Sequence, residues 1–305
     1  MKSVWWVRVA VVLLTAVLLV WIVRIIDLHA MGRIVAEVDS RTIVGVVAAL
    51  LISYLFRAMR LYEELRSQWP VRLRDCLRII LLHNMSVNIM PFRAGEAALP
   101  LLMARELRIP LHRGLVTLAW LRIQDASIVA VIALIAWPDF EWPLRVFGIV
   151  ALVTVLAAVL RWAHAPQRSA VTEGRWRDAL ARATASPWRT WLWCAANWAL
   201  KLTAIAWLLH DLTSMSLEAS SIAALGGEAA AFLPVQGMAG FGTYEAGVAL
   251  GAKASMQASS ASLATLLSAA LATHVLVIAS SVVAGALALL LPRGTLAASA
   301  ASSTP

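Results

Sequence analysis

The sequence predicts an all-α fold, that of a polytopic integral membrane protein. Of the 305 residues, 61% are hydrophobic and 14% are charged, whereas soluble domains average about 45–50% apolar and about 25% charged residues. The apolar residues form stretches of about 20 residues or more, the length that a helix needs to cross a bilayer. Two of these stretches are interrupted by Pro and Gly and then a Glu. We therefore expect about six full transmembrane helices and two broken re-entrant hairpins, in a single transmembrane domain over residues 1–292.

Six stretches predict complete transmembrane helices, and they are residues 4–26, 42–62, 114–137, 142–163, 188–210 and 262–291. The first has the flanking charges of a signal peptide, but its long apolar run lacks a cleavage site of small residues, which predicts an uncleaved helix. The polar insert 164–187 has apolar residues at helical spacing and predicts a short interfacial helix. Residues 293–305 are rich in Ala and Ser and predict a disordered tail.

Two further segments, 76–107 and 219–255, predict the broken hairpins. Each is divided into pieces of about 12–17 residues, which are short for a helix that spans the hydrocarbon core. The first break runs from Pro91 to Gly95. Broken backbone is tolerated in a bilayer only where it is packed in protein or lines a wet cavity. Breaks in both halves of a chain are typical of transport sites near the membrane midplane.

The charged residues of the loops predict the orientation of the helices. Segments 57–78 and 161–189 contain six arginines each and are expected to be cytoplasmic loops, with the N-terminus on the same side. Two short acidic turns are expected outside. Segment 76–107 then begins and ends in the cytoplasm, as a re-entrant hairpin or as a pair of spans. Segment 219–255 enters from the opposite face, as in an inverted repeat, unless its second arm is a full span.

The first break contains the candidate residues Asn88, Arg93 and Glu96, and the hairpin residues Pro91 and Gly95. Charge at membrane depth is costly unless it is paired or hydrated. Arg93 and Glu96 either form an ion pair that closes the hairpin tip, or leave Arg93 free to bind a phosphate through its planar guanidinium. Asn88 is expected to cap the break or to contact substrate.

The second break contains the four predicted hairpin residues Pro234, Gly237, Gly240 and Gly242. Glycine permits backbone conformations that other residues rarely adopt. Glu245 follows in the first turn of a new helix, where it either caps that helix through the helix dipole or contacts substrate. Glu228 lies in the middle of the preceding arm among Ala and Gly. It is expected to face protein or water, with a role in binding protons or substrate.

Charged residues also occur inside the predicted spans. Arg122 and Asp125 are spaced i, i+3 and share one helix face, so they form either an internal ion pair or part of a charged substrate path. Lys201 lies in the middle of its span, and an intramembrane lysine indicates a substrate-binding role. His274 is either a core histidine with satisfied hydrogen bonds, which we favour, or a proton relay.

Other features of the sequence exclude several classes of protein. The net charge is +9, but the basic residues lie between apolar spans, which favours contact with anionic lipids over contact with nucleic acid. Cys76 and Cys194 lack metal-ligand spacing and are expected to be small buried side chains. We find no hydrolase, nucleotide-binding or zinc-protease motif in the sequence. We therefore expect no enzyme activity, no cofactor and no metal.

Two runs of the sequence resemble a known family. They are Asn88-Ile-Met-Pro91-Phe-Arg93-Ala-Gly95-Glu96, with Arg122-Ile-Gln-Asp125 after it, and Leu233-Pro234-Val-Gln-Gly237-Met-Ala-Gly240-Phe-Gly242-Thr-Tyr-Glu245. With the pattern of spans, they resemble the membrane region of lysylphosphatidylglycerol synthases and its stand-alone, flippase-like relatives over about residues 1–292. The resemblance implies a lipid-translocating domain in a bacterial inner membrane. It marks as candidate substrate-path residues Arg93, Glu96, Arg122, Asp125 and Glu245.

The chain departs from this family pattern at two positions. Leu121 stands where family members often have Glu, and His274 stands where Arg is common in the last helix. Both differences bear on headgroup preference or coupling. No aminoacyltransferase domain follows the spans, so we do not expect the chain to synthesise lysyl-lipid.

These observations together predict a lipid transporter or flippase for an anionic or phosphate-bearing headgroup, either a phospholipid or a polyprenyl phosphate. The headgroup would cross through a polar cavity between the two hairpins. Arg93 is predicted to hold the phosphate, while Glu96 and Glu245 balance charge or take protons. The alternatives are a non-transporting subunit that presents lipid to a partner protein, and a membrane transferase that acts on a lipid phosphate. The sequence is compatible with a homo-oligomer or with a complex with a partner protein.

Overall fold

The structure is a computed structural model that describes residue 36 and residues 38–165, 171–185, 188–233, 238–255 and 262–292. For residues 91–93, 171–175 and 238 it describes the backbone alone. The described residues form ten α-helices and two short 3₁₀ helices, without any strand in these ranges. The prediction of an all-α fold is thereby confirmed.

The α-helices follow one another with short connections. They are α1 (Ser40–Leu65), α2 (Leu73–Ile89), α3 (Ala98–Glu106), α4 (Leu111–Ala136), α5 (Trp142–His164), α6 (Val171–Thr184), α7 (Arg189–Thr213), α8 (Leu217–Ala230), α9 (Thr243–Ala254) and α10 (Leu263–Ala288). Five of them, α1, α4, α5, α7 and α10, are long and apolar enough to cross a membrane. They correspond to five of the six predicted spans. The sixth, 4–26, and the tail 293–305 lie outside the described residues.

Local sequence explains where several helices begin. Ser216 Oγ accepts a hydrogen bond from the backbone N–H of Ala219 at 3.2 Å and so caps α8. Ser262 Oγ accepts from the N–H of Thr265 at 3.1 Å before α10. Both bonds satisfy a backbone donor that the first turn of a helix leaves without an intrahelical partner. Pro143 lies in the first turn of α5, where the missing N–H of proline has no cost.

The first predicted break is present in the structure. The chain leaves α2 at Ile89, forms a 3₁₀ helix over Pro91–Ala97 and resumes as α3 at Ala98. Gly95 lies so close to the end of α2 that a Cβ atom there would be 2.2 Å from the carbonyl oxygen of Ser86. Real Cβ atoms do not approach other atoms so closely, so the fold requires glycine at this position.

The second predicted break is also present. α8 ends at Ala230, a 3₁₀ helix covers Met238–Gly240, and α9 begins at Thr243. Gly240 and Gly242 have φ angles of +85° and +84°, in the left-handed region that favours glycine. Pro234 and Gly237, the other two predicted hairpin residues, lie outside the described residues.

α8 and α9 pack against each other through their backbones. A Cβ atom on Gly226 would lie 2.3 Å from the carbonyl oxygen of Gly247, and one on Gly251 would lie 2.3 Å from that of Ile222. Small residues permit such close approach of helices and are typical of helix contacts in membranes. The spacing of Gly247 and Gly251 places both on one face of α9.

The described residues group into two compact units, each built from separate stretches of chain. The first unit contains residues 38–50, 86–95, 202–233, 238–255 and 262–282, and the second contains 51–85, 96–165, 171–185, 188–201 and 283–292. Each unit has its own apolar core. In the first unit, Leu50, Ile205 and Val248 are completely buried. In the second, Leu61, Ile79 and Met103 are completely buried.

The helix contact between α8 and α9 leads to a stability prediction. We expect Gly226→Ala to lower the free energy of unfolding by about 1–3 kcal/mol, because the added methyl group overlaps the Gly247 carbonyl. Gly45→Ala is the matched control, since a Cβ at Gly45 of α1 meets nothing within 4 Å. That control should be neutral or stabilising by up to about 1 kcal/mol. Thermal unfolding of both variants in detergent checks this, and equal midpoints would contradict it.

Candidate functional site

Five charged residues of the second unit form a cluster within the apolar helices. Arg57 and Arg60 lie on α1, Glu96 lies in the first 3₁₀ helix, and Arg122 and Asp125 lie on α4. The spacing of i, i+3 on α1 and on α4 brings each pair onto one helix face. We call these five residues the arginine cluster. It contains three guanidinium groups and two carboxylates.

Asp125 is the most completely bonded member of the arginine cluster. Its Oδ1 and Oδ2 accept hydrogen bonds from Arg60 Nη1 at 2.7 Å and Nη2 at 3.3 Å, in the two-pronged arrangement that suits guanidinium and carboxylate. Oδ1 also accepts from Trp198 Nε1 at 3.0 Å and from Cys194 Sγ at 3.4 Å. The Arg60 and Asp125 side chains are each 3% exposed. Pairing of this quality is what makes two buried charges tolerable in an apolar interior.

Glu96 pairs with Arg122 across the break that precedes α3. Arg122 Nη2 donates to both carboxylate oxygens of Glu96 at 2.6 Å, and Arg122 Nε donates at 3.1 Å. His83 Nε2 lies 3.8 Å from the same carboxylate. This pair is more accessible than the first, with 30% of the Arg122 side chain and 18% of the Glu96 side chain exposed. The predicted contact of Arg122 with Asp125 is also present, at the longer distance of 3.5 Å.

Arg57 carries the uncompensated positive charge of the arginine cluster. Its half-buried side chain is close enough to Asp125, Glu96, Arg60 and Arg122 for electrostatic interaction. Neither a hydrogen bond nor an ion pair joins its guanidinium to another described side chain, and both carboxylates are bonded to other arginines. The buried Nε of Arg60 likewise has no acceptor among the described residues. The cluster therefore has unused donors and a surplus of one positive charge.

The loop prediction for residues 57–78 was wrong at its first two arginines. α1 continues to Leu65, and Arg60 is 2% exposed within the fold. The same spacing that identified Arg122 and Asp125 as a pair was present at Arg57 and Arg60. The four further arginines up to residue 78 make the whole segment resemble a basic cytoplasmic loop, which hides this spacing.

α7 supplies further residues around the arginine cluster, and of these the sequence identified only Lys201 as a site residue. Cys194, Trp198 and Lys201 are spaced i, i+4, i+7 and so lie on one helix face. Cys194 donates to Asp125, and the Lys201 ammonium lies 5.4 Å from the centre of the Trp198 ring, in a cation–π contact. Lys201, a predicted site residue, is thus linked to Asp125 through Trp198.

A second group of ionisable residues lies in the first unit. It consists of Glu228 on α8, Tyr244 and Glu245 on α9, and His274 on α10, all of them buried. We call it the glutamate–histidine cluster. Glu245 Oε1 lies 2.8 Å from His274 Nδ1, and Oε2 accepts the backbone N–H of Gly242 at 2.6 Å. Glu245 therefore caps α9, one of the two predicted roles, and at the same time bonds a histidine.

Aromatic rings enclose the histidine of this cluster. The His274 ring stacks on the Tyr244 ring, with 4.4 Å between the ring centres. The centre of the Phe241 ring lies 4.7 Å from that of His274. Tyr244 itself packs over Gly227, where a Cβ atom would come within 2.9 Å of the tyrosine ring. The buried Tyr244 hydroxyl has no hydrogen-bond partner among the described residues.

The other predicted site residues are placed as follows. Asn88 donates its side-chain N–H to Ser281 Oγ of α10 at 2.5 Å, within the first unit. Pro91 begins the first 3₁₀ helix. Arg93 lies in the same 3₁₀ helix, but its side chain, and with it the predicted phosphate contact, is outside the described part of the structure. Among the described residues, no group of three or more His, Cys, Asp or Glu side chains is placed to hold a metal ion.

Comparison with known proteins identifies one family. The family model described as the lysylphosphatidylglycerol synthase TM region matches residues 5–285. Comparisons with curated proteins and with solved structures gave no match. The match covers both breaks and both clusters of ionisable residues, and it confirms the resemblance seen in the sequence.

The Arg60–Asp125 pair leads to a second stability prediction. Removing one partner of a buried ion pair leaves the other charge uncompensated, at a cost of about 3–5 kcal/mol. We expect Asp125→Asn to lower the free energy of unfolding by that amount, because Arg60 then loses its carboxylate. The exposed Asp139→Asn is the matched control and should change stability by less than about 0.5 kcal/mol. Thermal unfolding in detergent measures both.

The pairing itself is checked by a double-mutant cycle. Arg60→Gln combined with Asp125→Asn should cost less than the sum of the two single changes, since the double variant leaves no unpaired charge from this pair. Additive effects would show that the two side chains do not stabilise each other.

Proposed function

The chain belongs to the family of lysylphosphatidylglycerol synthase TM regions, and from that membership we propose that it moves an anionic, phosphate-bearing lipid headgroup across the membrane. The protein is a multi-pass membrane protein with a function related to membrane lipids. The proposal specifies the activity, which is transport of the lipid and not its synthesis. It also assigns the headgroup to the arginine cluster.

One observation carries the proposal, namely the unpaired guanidinium of Arg57 beside two arginines that are already paired. An isolated charge among apolar helices is costly, and such residues generally mark a substrate or ion path. Guanidinium groups bind phosphate through two parallel hydrogen bonds. A phosphate at Arg57 would supply the negative charge that Glu96 and Asp125 do not provide. It could also accept from the free Nε of Arg60.

The position of the cluster along α4 supports a role in crossing the membrane. With a rise of about 1.5 Å per residue, Arg122 and Asp125 lie about 17 and 21 Å from the start of the helix. The whole helix is 26 residues long, or about 39 Å. The charges are therefore near its middle, far from either end. A lipid headgroup bound at this depth has left its own leaflet, while its hydrocarbon chains can stay in the bilayer.

In the proposed mechanism, the two ion pairs have different tasks. The fully buried Arg60–Asp125 pair holds α1 and α4 in register and keeps its bonds throughout. The more exposed Arg122–Glu96 pair opens, and Arg122 transfers part of its hydrogen bonding to the arriving phosphate. Arg57 holds the phosphate between these two arginines. After the headgroup leaves, Glu96 returns to Arg122 and neutralises it.

The remaining features of the proposal follow from the sequence. We propose a bacterial inner membrane as the location, with a cytoplasmic N-terminus and either a phospholipid or a polyprenyl phosphate as the substrate. Arg93 keeps its predicted role in phosphate binding. A subunit that presents lipid to a partner protein uses the same anion site, so transport by the isolated chain distinguishes the two functions.

Transport by the reconstituted protein tests the proposal. Proteoliposomes carry fluorescent phosphatidylglycerol, and a membrane-impermeant quencher reports the fraction in the outer leaflet over time. We expect Arg57→Gln to slow transport at least about tenfold, equivalent to about 1.4 kcal/mol of activation free energy. Arg41→Gln is the matched control, because Arg41 is exposed on the same helix, and its rate should equal that of the unchanged protein.

Each outcome of this experiment has a defined meaning. An unchanged rate in Arg57→Gln removes the proposed role of that residue. Absence of transport by the unchanged chain, with lipid still bound in an arginine-dependent manner, contradicts the transporter and favours the subunit that presents lipid. A partial rate in Arg57→Lys is expected, since lysine keeps the charge but not the two-pronged geometry.

A further inference from the structure

The glutamate–histidine cluster is built from groups that can gain and lose protons. Its members Glu228, Tyr244, Glu245 and His274 are all buried in the first unit. Within it, the Glu245 carboxylate is hydrogen-bonded to the His274 imidazole and to the Gly242 N–H. A buried carboxylate next to a neutral imidazole leaves the pair with a net negative charge, and taking up a proton removes that charge.

The hydrogen bond between Glu245 and His274 is a place where protons can be exchanged. At 2.8 Å between Oε1 and Nδ1, one hydrogen lies between the two side chains. With that hydrogen alone, a neutral imidazole donates to a carboxylate and the pair has a charge of −1. A second proton on His274 Nε2 makes the pair neutral. Nε2 lies beside Gly240, where a Cβ atom would be 3.6 Å from it, so a side chain at that position would contact this nitrogen.

The neighbouring helices present further titratable groups to this pair. Tyr244 stacks on the imidazole, and its buried hydroxyl has no hydrogen-bond partner among the described residues. Both Glu228, from α8, and Glu245 are close enough to that hydroxyl for electrostatic interaction. In α7, which shares the core of this unit, His210 bonds the Met215 carbonyl and Asp211 accepts from the Thr42 hydroxyl. These two groups therefore have partners of their own.

The same geometry argues against a metal cation at this position. Both carboxylate oxygens of Glu245 accept N–H hydrogen bonds, one from His274 and one from Gly242. A cation could bind Glu245 only by displacing one of those donors. No cluster of three or more metal-ligating side chains occurs in the described ranges. The proton is the cation that fits the hydrogen-bonded pair as it stands.

We propose that the Glu245–His274 pair is a proton-binding site that couples lipid movement to a proton gradient. The proposal rests on the proposed function, because the movement that is coupled is that of the lipid headgroup. A proton enters at His274 Nε2 from one side of the membrane, neutralises the pair, and leaves to the other side. The charge of the pair alternates between −1 and zero in each cycle.

The Glu245–His274 pair also forms a hydrogen bond to the backbone of the second break. The carboxylate of Glu245 accepts the Gly242 N–H, and charged acceptors at a helix N-terminus are stronger than neutral ones. Proton transfer within the pair therefore changes the strength of the cap of α9. Gly240 and Gly242, both with positive φ, flank Phe241 and allow the backbone at the break to change conformation.

The first experiment measures protonation without lipid transport. Infrared difference spectra between acidic and alkaline pH are recorded on the full chain in lipid. We expect carboxyl and imidazole bands that disappear in Glu245→Gln and in His274→Asn. Gln keeps an oxygen acceptor for the Gly242 N–H, and Asn keeps an N–H donor for Glu245, so both variants preserve the local bonds. Glu218→Gln, an exposed position on α8, is the matched control and should leave the bands unchanged. Identical spectra for the pair variants and the unchanged protein overturn the proton site.

The second experiment measures coupling in proteoliposomes under a gradient of about one pH unit, with the electrical potential clamped. One proton per lipid predicts a shift of about tenfold in the steady-state ratio of fluorescent lipid between leaflets. The shift should be absent in Glu245→Gln and His274→Asn and intact in Glu218→Gln. A response to a sodium gradient at equal pH, with none to a pH gradient, overturns the proposal.

The two experiments separate this proposal from the proposed function. Lipid transport that equilibrates without any response to the pH gradient overturns the coupling and leaves the transporter in place. If the unchanged chain moves no lipid, the proposed function fails and the coupling fails with it. The infrared bands then decide whether the pair still binds protons.

Discussion

The second unit depends on the two-pronged pair of Arg60 and Asp125. Two charges that are 3% exposed must be almost fully compensated by each other and by nearby dipoles. Here the compensation is supplied from three helices, since α1 carries the arginine, α4 the aspartate, and α7 the Trp198 and Cys194 donors. The pair thereby fixes the relative rotation of these helices. Arg57 and Arg122 share helix faces with its members, so their positions follow from it.

Both units contain charged groups in an apolar interior, and the two clusters differ in how their charge can be neutralised. In the arginine cluster, guanidinium groups cannot lose their protons, so a surplus charge can be neutralised only by an anion that arrives from outside. In the glutamate–histidine cluster, carboxyl and imidazole groups can gain or lose protons. A fixed positive site suits a phosphate, and a titratable site suits a proton.

Much of the fold follows from the length and composition of the apolar stretches. Five spans and both breaks were predictable, because the cost of burying backbone in lipid requires long helices and makes interruptions conspicuous. Gly240 and Gly242 were also predictable from the backbone freedom of glycine. The packing of α8 on α9 was not, since Gly226 and Gly247 become meaningful only when the partner helix is known.

The partners of the charged residues were less predictable than the residues themselves. Local spacing correctly predicted that Arg122 lies near Asp125. The shorter hydrogen bonds, however, are those from Arg122 to Glu96 and from Arg60 to Asp125. Those pairs join residues 26 and 65 positions apart in the sequence. Hydrogen bonds of that range depend on how the helices rotate against each other, which periodicity does not specify. Arg60 is ambiguous in the sequence, because a basic residue near the end of a span can belong to the cytoplasmic loop or to the buried helix face.

The glycine contact of α8 with α9 has a mechanical consequence. Main-chain atoms meet there without intervening side chains, so rotamer changes cannot absorb a displacement of either helix. We therefore expect the two helices to shift together. A movement that starts where Glu245 holds the Gly242 N–H would then also displace Glu228 on the neighbouring helix.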